Sequence, residues 1–459
     1  MIGGGITGLS AAHRVQELRP AAEVRLFEAK PRLGGILETI HQGDFLFERS
    51  ADMFTVKDPW AIDLCRRIGF ESELIGVNPA GRKAFVVRRG KNYPVPEGFT
   101  LMSPARIGPI FATPILSPLG KLRLAAEMLV PRRQETGDES LRSFVIRRFG
   151  REAFDRLIQP LIGGIYTADP AKLSMQATLP QFLQMEQEHG SLIRAMRQKS
   201  AGKSREELQQ EGSGARYGQF LTPRRGMSSL LDAIAAKLKP GVVQTNVAVT
   251  ALSREGSQWL VRANERTETF DAVIVAVPAY IAHTLLRPLD ETLADETAAI
   301  PHAGCSVVVA GYRREQIQRP IQGAGLVVPH CEGRKIIAVS FSSDKFAGRA
   351  RDDYVILRTF VGGALQADLA KLPDDDLKQL TAEELHDLVG LVGPPEFSVI
   401  ARWLGVMPQY HVGHLDRVAR IEARVQAIPR FALAGNAYRG VGIPFCIRSG
   451  EQAAERVTA

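Results

Sequence analysis

Glycines 3, 5 and 8, in the run Gly3-Gly4-Gly5-Ile6-Thr7-Gly8, have the G-x-G-x-x-G spacing of a turn that holds a dinucleotide pyrophosphate. The first glycine makes the tight turn. The second lets the backbone approach the phosphates, and the third lets helix pack on strand. A helix expected from Ile6 to about Leu18 aims its N-terminal N–H groups and its dipole at that point. The apolar strand Val24-Arg25-Leu26-Phe27 ends in Glu28, twenty residues after Gly8, where a carboxylate can hydrogen-bond ribose hydroxyls. Arg32-Leu33-Gly34-Gly35 follows. A nicotinamide or a flavin dinucleotide would satisfy this much.

Little else in the chain reads as reactive. The four cysteines (65, 305, 331 and 446) lie far apart, without C-x-x-C or metal spacing, and read as reduced thiols. His302, His411 and His414 read as structural, and no general base, nucleophile or metal ligand stands out.

These residues need elements to position them. At 459 residues, with 45% hydrophobic and 24% charged residues, the chain suits two or three domains of an ordinary globular protein. The net charge of +8 is mildly basic, and the scattered Lys and Arg residues form no aromatic-interleaved strip, so nucleic acid is not an expected partner. No charged n-region or apolar h-region opens the chain, and no run of 18 apolar residues occurs.

Residues 1–75 read β-α-β, the opening of a doubly wound sheet. The same α/β pattern returns over 216–300, where Asp271 to Pro278 is a buried parallel strand, and again over 401–459, where Phe431 to Asn436 is a strand and Ile447 to Val457 a closing helix. Residues 76–215 read as mostly helical, with Asp138 as an N-cap and Gln198 to Gly218 as a polar loop. Residues 301–400 read as an antiparallel sheet with one helix at Ala382 to Leu391. The fold class is therefore α/β: a discontinuous dinucleotide domain, an inserted α+β substrate domain and a helical subdomain.

The run Ile107 to Leu119 is apolar, broken by prolines 109, 114 and 118, and followed by Lys121 and Arg123. It fits a buried helical layer or a segment lying at a membrane interface. Only Met1 and Ile2 precede the glycine turn, where a strand of about five apolar residues is expected. This leads to the expectation that the true start lies upstream.

Several segments together resemble the oxygen-dependent protoporphyrinogen/coproporphyrinogen oxidase family, within the flavin amine oxidase superfamily. They are Pro94-Val-Pro-Glu-Gly98, Gly163-Gly-Ile-Tyr166 with Leu173-Ser174, Trp403 with Met407-Pro-Gln-Tyr410, Gly413-His-Leu415, and Leu433 to Ile443 with Cys446-Ile447 and Gly450. The resemblance covers essentially the whole chain and implies FAD as cofactor. It places the pyrophosphate on Gly3, Gly4, Gly5, Ile6, Thr7 and Gly8, the adenosine ribose on Glu28 and Ala29, and Arg32, Gly34, Gly35 and Ile36 beside the cofactor. Ser50, Ala51, Asp52 and Met53 would approach the isoalloxazine, Val249 the adenine, and Asn436, Val441, Gly442 and Ile443 would close over the flavin. Gly325, Val327 and Phe360 match the lining of the substrate slot, and Arg82 or Lys83 a propionate anchor.

The implied reaction is six-electron oxidation of protoporphyrinogen IX or coproporphyrinogen III to the porphyrin, with dioxygen as acceptor, late in haem synthesis. The chemistry belongs to the cofactor, and the protein supplies a slot, a face and an anchor. A cytoplasmic location with peripheral contact on the inner membrane follows from the resemblance, with a downstream haem-pathway enzyme as a candidate partner. A flavin amine oxidase would need an aromatic cage, and Tyr438 alone does not make one. A catalytically impaired flavin-binding homologue is the other alternative, raised by the short first strand. Adding about five to ten apolar-rich residues before Met1 is expected to raise flavin retention; equal FAD occupancy with and without them would count against that.

Overall fold

The computed structural model describes residues 1–135, 137–200, 219–320 and 322–459. The glycine turn sits at the centre of a parallel sheet. Leu26–Glu28 pairs in parallel with Val243–Thr245, and Val273–Val275 with Phe431–Leu433. Ile2 stands between the two pairs, bridged to Phe27 on one side and Val275 on the other. Its neighbourhood is held by backbone bonds on both edges: Ile2 N to Ile274 O (2.9 Å), Ala276 N to Ile2 O (2.8 Å), Gly3 N to Phe27 O (2.8 Å) and Phe27 N to Met1 O (2.9 Å). Two residues thus do the pairing of the central strand.

Alternation along these strands separates two cores. Leu26, Ile274 and Ala432 face Leu9 of helix Ile6–Leu18, Leu231 of helix Met227–Ala236 and Ile447 of helix Ile443–Thr458. Ile2, Phe27, Val275 and Phe431 face the opposite way, toward Trp259, Leu285 and Val418. Helices on both faces of a parallel sheet make this the expected doubly wound α/β unit.

The second sheet has seven strands in the order Phe397–Pro408, His302–Arg313, Tyr354–Gly362, Ala338–Phe341, Gly325–Val327, Ala84–Arg88 and Lys91–Pro94. It departs from expectation in two ways. It reaches beyond 301–400 at both ends of its strand order, and the Gly325–Val327/Ala84–Arg88 pair is parallel, so the sheet is mixed. The hairpin at 84–94 is apolar on both faces, Ala84 and Val86 on one and Phe85 and Val87 on the other, so it is satisfied only inside a larger sheet. The accompanying helix runs Asp374–Val389, starting earlier than expected, because three aspartates in its first turn favour the helix dipole and Gly390 (φ 66°) ends it. This helix covers one face of the sheet through Leu377, Leu380 and Leu388. The other face, with Val307, Val309 and Ala401, meets Phe47 of the hairpin Thr39–Gln42/Phe45–Glu48.

A helical layer spanning 108–200 completes the molecule. Asp138 is not an N-cap: Ser140 caps helix Leu141–Phe149 by accepting from Ser143 N. Asp138 instead accepts from Ser174 Oγ (2.6 Å) and Gly413 N (3.3 Å), tying the layer to distant chain. The apolar run at 107–119 divides, with Ile110, Ile115 and Leu116 buried and Phe111 and Leu119 exposed. The polar loop expected at 198–218 lies mostly in 201–218, outside the described residues; 198–200 belong to helix Leu192–Ser200.

Within the layer, Arg148 and Glu127 are fully buried together. Glu127 also accepts from Ser191 Oγ (2.5 Å) and Leu192 N (2.9 Å), capping helix Leu192–Ser200, while Arg148 donates to Val130 O (3.0 Å) and Gly190 O (2.9 Å). Removing Glu127 leaves the buried Arg148 dependent on a longer contact, Nη1 to Glu186 Oε1 at 3.4 Å. Glu127→Ala is expected to lower stability by about 3–5 kcal/mol, measured by denaturant unfolding, whereas a surface variant such as Glu291→Ala should change it by under about 0.5 kcal/mol.

Candidate functional site

The glycine turn shows three kinds of glycine. A Cβ on Gly8 would lie 1.9 Å from the Gly3 carbonyl oxygen, so the helix can sit on the turn only with glycine there. Gly3 adopts φ +107°, a left-handed conformation that side chains disfavour. Among the described residues no heavy atom lies within 4 Å of where a Gly5 Cβ would be, apart from its chain neighbours and its own helix, so space lies in front of it. Gly5 also begins helix Ile6–Leu18 without a side-chain cap and without an acidic residue in the first turn. The first N–H groups of a helix have no internal partner. Open space, uncapped N–H donors and the positive dipole end together fit a pyrophosphate.

Around the turn, Glu28 is buried and engaged: Oε2 accepts from Gly4 N (2.7 Å) and Oε1 from Lys30 N (2.9 Å). Each oxygen keeps a further lone pair for a ribose hydroxyl. Val247 N donates to Glu28 O (2.9 Å) and Asn246 N to Lys30 O (3.1 Å), bringing the strand that starts at Val249 beside Glu28 and Ala29. Arg32 serves its own loop, donating to Leu33 O (3.1 Å), Leu37 O (3.0 Å) and Gly35 O (2.8 Å). That loop brings Gly34, Gly35 and Ile36 to the turn, with Gly34 N bonded to Gly4 O at 2.8 Å.

The other predicted cofactor residues come from two remote segments. Ser50 to Met53 connect strand Phe45–Glu48 to strand Phe54–Thr55. Their backbone is held from the second sheet, by Arg358 donating to Ser50 O and Trp403 Nε1 donating to Arg49 O (2.6 Å). Asn436 to Ile443 lead into helix Ile443–Thr458, whose N-cap Gly442 also lacks a side-chain cap. Tyr410 braces this loop, its hydroxyl donating to Asn436 O (2.5 Å) and accepting from Gly440 N (2.8 Å). Tyr410 stacks on His414, whose Nε2 meets Tyr438 O at 2.9 Å. Burial holds His414 near 4, as a neutral ring, and lowers His302 and His411 as well, which agrees with structural roles.

The second sheet offers the apolar wall. Phe360, Ala338 and Val327 are register partners across three neighbouring strands and share one face. Each is half-buried in a strand whose interior is otherwise mostly closed: Phe360 is the one such position in Tyr354–Gly362, and Val327 in Gly325–Val327. The row is partly exposed and borders two cores, Phe360 packing against that of Val307 and Val327 against that of the helical layer. Helix Gln159–Tyr166 comes close to this row, since a Cβ on Gly164 would be in ordinary contact with Val327 Cγ1 at 3.7 Å. Gly325, in the next row, is glycine for a structural reason, because a Cβ would lie 2.1 Å from Val339 O.

The two proposed anchors are less well placed. Lys83 is exposed and shares its parity with Phe85 and Val87, which pack toward helix Asp374–Val389, so it belongs to the sheet face away from Val327. Lys83, one residue before strand Ala84–Arg88, is thus set on the face opposite Val86 and Val327. Arg82, half-buried in the turn before the strand, donates from Nε to Val77 O at 3.4 Å. Arg88 lies on the same face as Val86 and Val327, with Arg156 close enough to lower its pKa further after burial has done so.

Sequence reasoning missed a buried charge cluster under Ser50–Met53. Asp52 Oδ2 meets Lys345 Nζ at 2.5 Å and Arg358 Nη1 at 2.9 Å. Burial alone would raise Asp52, but Lys345 and then Arg358 hold it down to about 2. Glu48 goes the other way, burial pushing it up to about 7 against hydrogen bonds from Met227 N (2.8 Å) and Thr39 Oγ1 (2.8 Å). Arg358, alone in the apolar strand YVILRTFVG, was the available signal. Lys345 and Arg349 gave none, lying in an ordinary polar turn region.

A Glu48 that titrates near 7 when folded and near 4.5 when unfolded binds more protons in the fold between those values. Stability is therefore expected to fall as pH rises through that window, by about 3 kcal/mol in all. Glu48→Gln should flatten this part of the stability–pH profile in denaturant titrations. An unchanged slope would contradict the assignment.

A family model described as flavin containing amine oxidoreductase matches residues 6–458. Coproporphyrinogen III oxidase of Bacillus subtilis (strain 168) is 34% identical, covering 99% of this chain and 96% of that protein. Protoporphyrinogen oxidase 2 (chloroplastic/mitochondrial) of Arabidopsis thaliana is 28% identical, covering 100% and 93%. A crystal structure of a protein from Exiguobacterium sp. 255-15 is 29% identical and superposes with a TM-score of 0.88 over 100% of this chain and 97% of that one. Uncapped helix ends, a phosphate-sized glycine turn and full-length kinship agree, and the chain belongs to the flavin-containing amine oxidoreductases, in the group of coproporphyrinogen III and protoporphyrinogen oxidases.

Proposed function

We propose that this protein oxidises a porphyrinogen to the porphyrin, with coproporphyrinogen III as the preferred substrate. The carrying observation is the half-exposed row Phe360–Ala338–Val327, an apolar wall in mid-sheet beside the segments at 50–53 and 163–164. A flat macrocycle suits such a wall. Relatives named coproporphyrinogen III oxidase are 31–34% identical, and those named protoporphyrinogen oxidase 26–28%, which supports the choice of substrate.

The cofactor is FAD, which when bound supplies the hydride acceptor, with dioxygen as the final oxidant. Gly3 to Gly8 hold the pyrophosphate, Glu28 and Ala29 the adenosine ribose, and Val249 the adenine edge. Arg32 keeps Gly34, Gly35 and Ile36 against the cofactor by stitching their loop. Ser50 to Met53 flank the ring on one side, and Asn436 with Val441 to Ile443 on another. Gly325, Val327 and Phe360 line the slot and exclude water. Arg82 and Arg88 receive propionates at its polar end. The porphyrin released then serves a downstream haem-pathway enzyme.

The purified protein is expected to show a flavin visible spectrum and to generate porphyrin fluorescence from coproporphyrinogen III faster than from protoporphyrinogen IX. A colourless protein that takes up no added FAD would overturn the reading. Arg88→Ala is expected to raise the apparent KM about tenfold, the loss of one charge-assisted hydrogen bond, with flavin content unchanged. Wild-type KM values in both Arg82→Ala and Arg88→Ala would move the anchor elsewhere.

Peripheral membrane contact has its own support. Phe111, Leu119, Leu122 and Leu129 are 47%, 79%, 58% and 82% exposed on consecutive elements of the helical layer, with Arg132 and Arg133 following. Exposed apolar residues beside cations suit an anionic lipid surface. No helix among the described residues is long and apolar enough to cross a membrane. The protein is expected to co-sediment with anionic liposomes, and Leu119→Ser with Leu129→Ser to release it. Wild-type protein that stays in the supernatant at low salt would contradict this.

A further inference from the structure

Five ionisable side chains meet where the second sheet touches the chain at 48–53: Glu48, Asp52, Lys345, Arg349 and Arg358, each less than a tenth exposed. Three are cations, and only Asp52 among the carboxylates contacts any of them, sharing Oδ2 between Lys345 and Arg358. Glu48 is held by neutral donors, Met227 N and Thr39 Oγ1. Arg349 ends on neutral oxygens, donating to Arg224 O (2.8 Å), Thr222 Oγ1 (3.0 Å) and Pro223 O (3.0 Å). Arg358 Nε and Ser50 Oγ are buried without a hydrogen-bond partner among the described residues. An uncompensated positive charge in a dry interior is unfavourable unless something negative comes alongside. Arg358 and Asp52 are tied directly to the turn that faces the ring, through Ser50 O and through Asp52 itself.

We propose that Lys345, Arg349 and Arg358 form a fixed cationic floor under Ser50–Met53 that favours negative charge on the bound flavin ring, with Asp52 setting how much of that charge is felt. The proposal rests on the reading that the ring lies against Ser50–Met53. Lys345, Arg349 and Arg358 are positioning and charge-setting residues here, with no proton or hydride passing through them.

The test is the midpoint potential of the bound flavin, measured on the holoenzyme by dye equilibration at fixed pH. Lys345→Met removes a cation while leaving Asp52 its pair with Arg358. It is expected to disfavour reduction at least tenfold, a shift of about 30 mV to more negative values for a two-electron couple. Asp52→Asn removes the anion and is expected to shift the potential the opposite way. Damage to packing would not give opposite signs. An unchanged potential, or shifts of one sign in both variants, overturns the proposal. If only one variant folds with FAD, the sign of its shift decides. A wild-type protein that binds no FAD would instead overturn the earlier functional reading.

Discussion

The structure depends on how closely the first turn of helix Ile6–Leu18 can be approached from two sides. On one side the Gly3 carbonyl sits where a Gly8 side chain would be. On the other, the carbonyl of Thr7 lies 2.2 Å from where Gly450 would carry a Cβ. Two glycines separated by most of the chain therefore let three elements stack without a gap. That stacking orients the free N–H groups above Gly5, and it carries the start of helix Ile443–Thr458 into the same region. Any side chain at either contact would move a helix end, and both helix ends are uncapped ones.

Much of the parallel sheet was legible because its signals are local. Glycine spacing, an acid twenty residues on and an unbroken apolar strand such as Val273–Val275 each report on their own neighbourhood. The second sheet was less legible because its pairings are long-range. Nothing near Ala84 announces a parallel partner at Gly325, and only the two-faced apolarity of the hairpin hints that it needs one. The pleat likewise sets Lys83 and Arg88 on opposite faces of the sheet, and a pleat direction is known only once a partner strand is fixed. Asp138 looked like a cap because caps are local; its true partners, Ser174 and Gly413, are tertiary.

Charge is used in two different ways. In the helical layer, Glu127 and Arg148 satisfy each other and nearby backbone almost completely, so the pair specifies how three segments meet. Under Ser50–Met53 the groups do not balance, and orphaned polar atoms remain. The first arrangement is closed. The second is of the kind found where an interior is completed by something other than protein.

The packing of helix Ile443–Thr458 on helix Ile6–Leu18 joins the two extremities of the chain. Such a contact carries nearly the largest sequence separation the chain allows, and loop closure of that length is slow to be rewarded. The face of helix Ile6–Leu18 that Gly450 approaches is therefore completed only when helix Ile443–Thr458 has docked. That face is marked by Thr7 and Ala11, whose backbone a Gly450 Cβ would meet, and by Arg14, which pairs with Glu455 at 3.2 Å. Docking of that one helix thus closes the apolar core around helix Ile6–Leu18 and sets its own uncapped N-terminus in place at the same time.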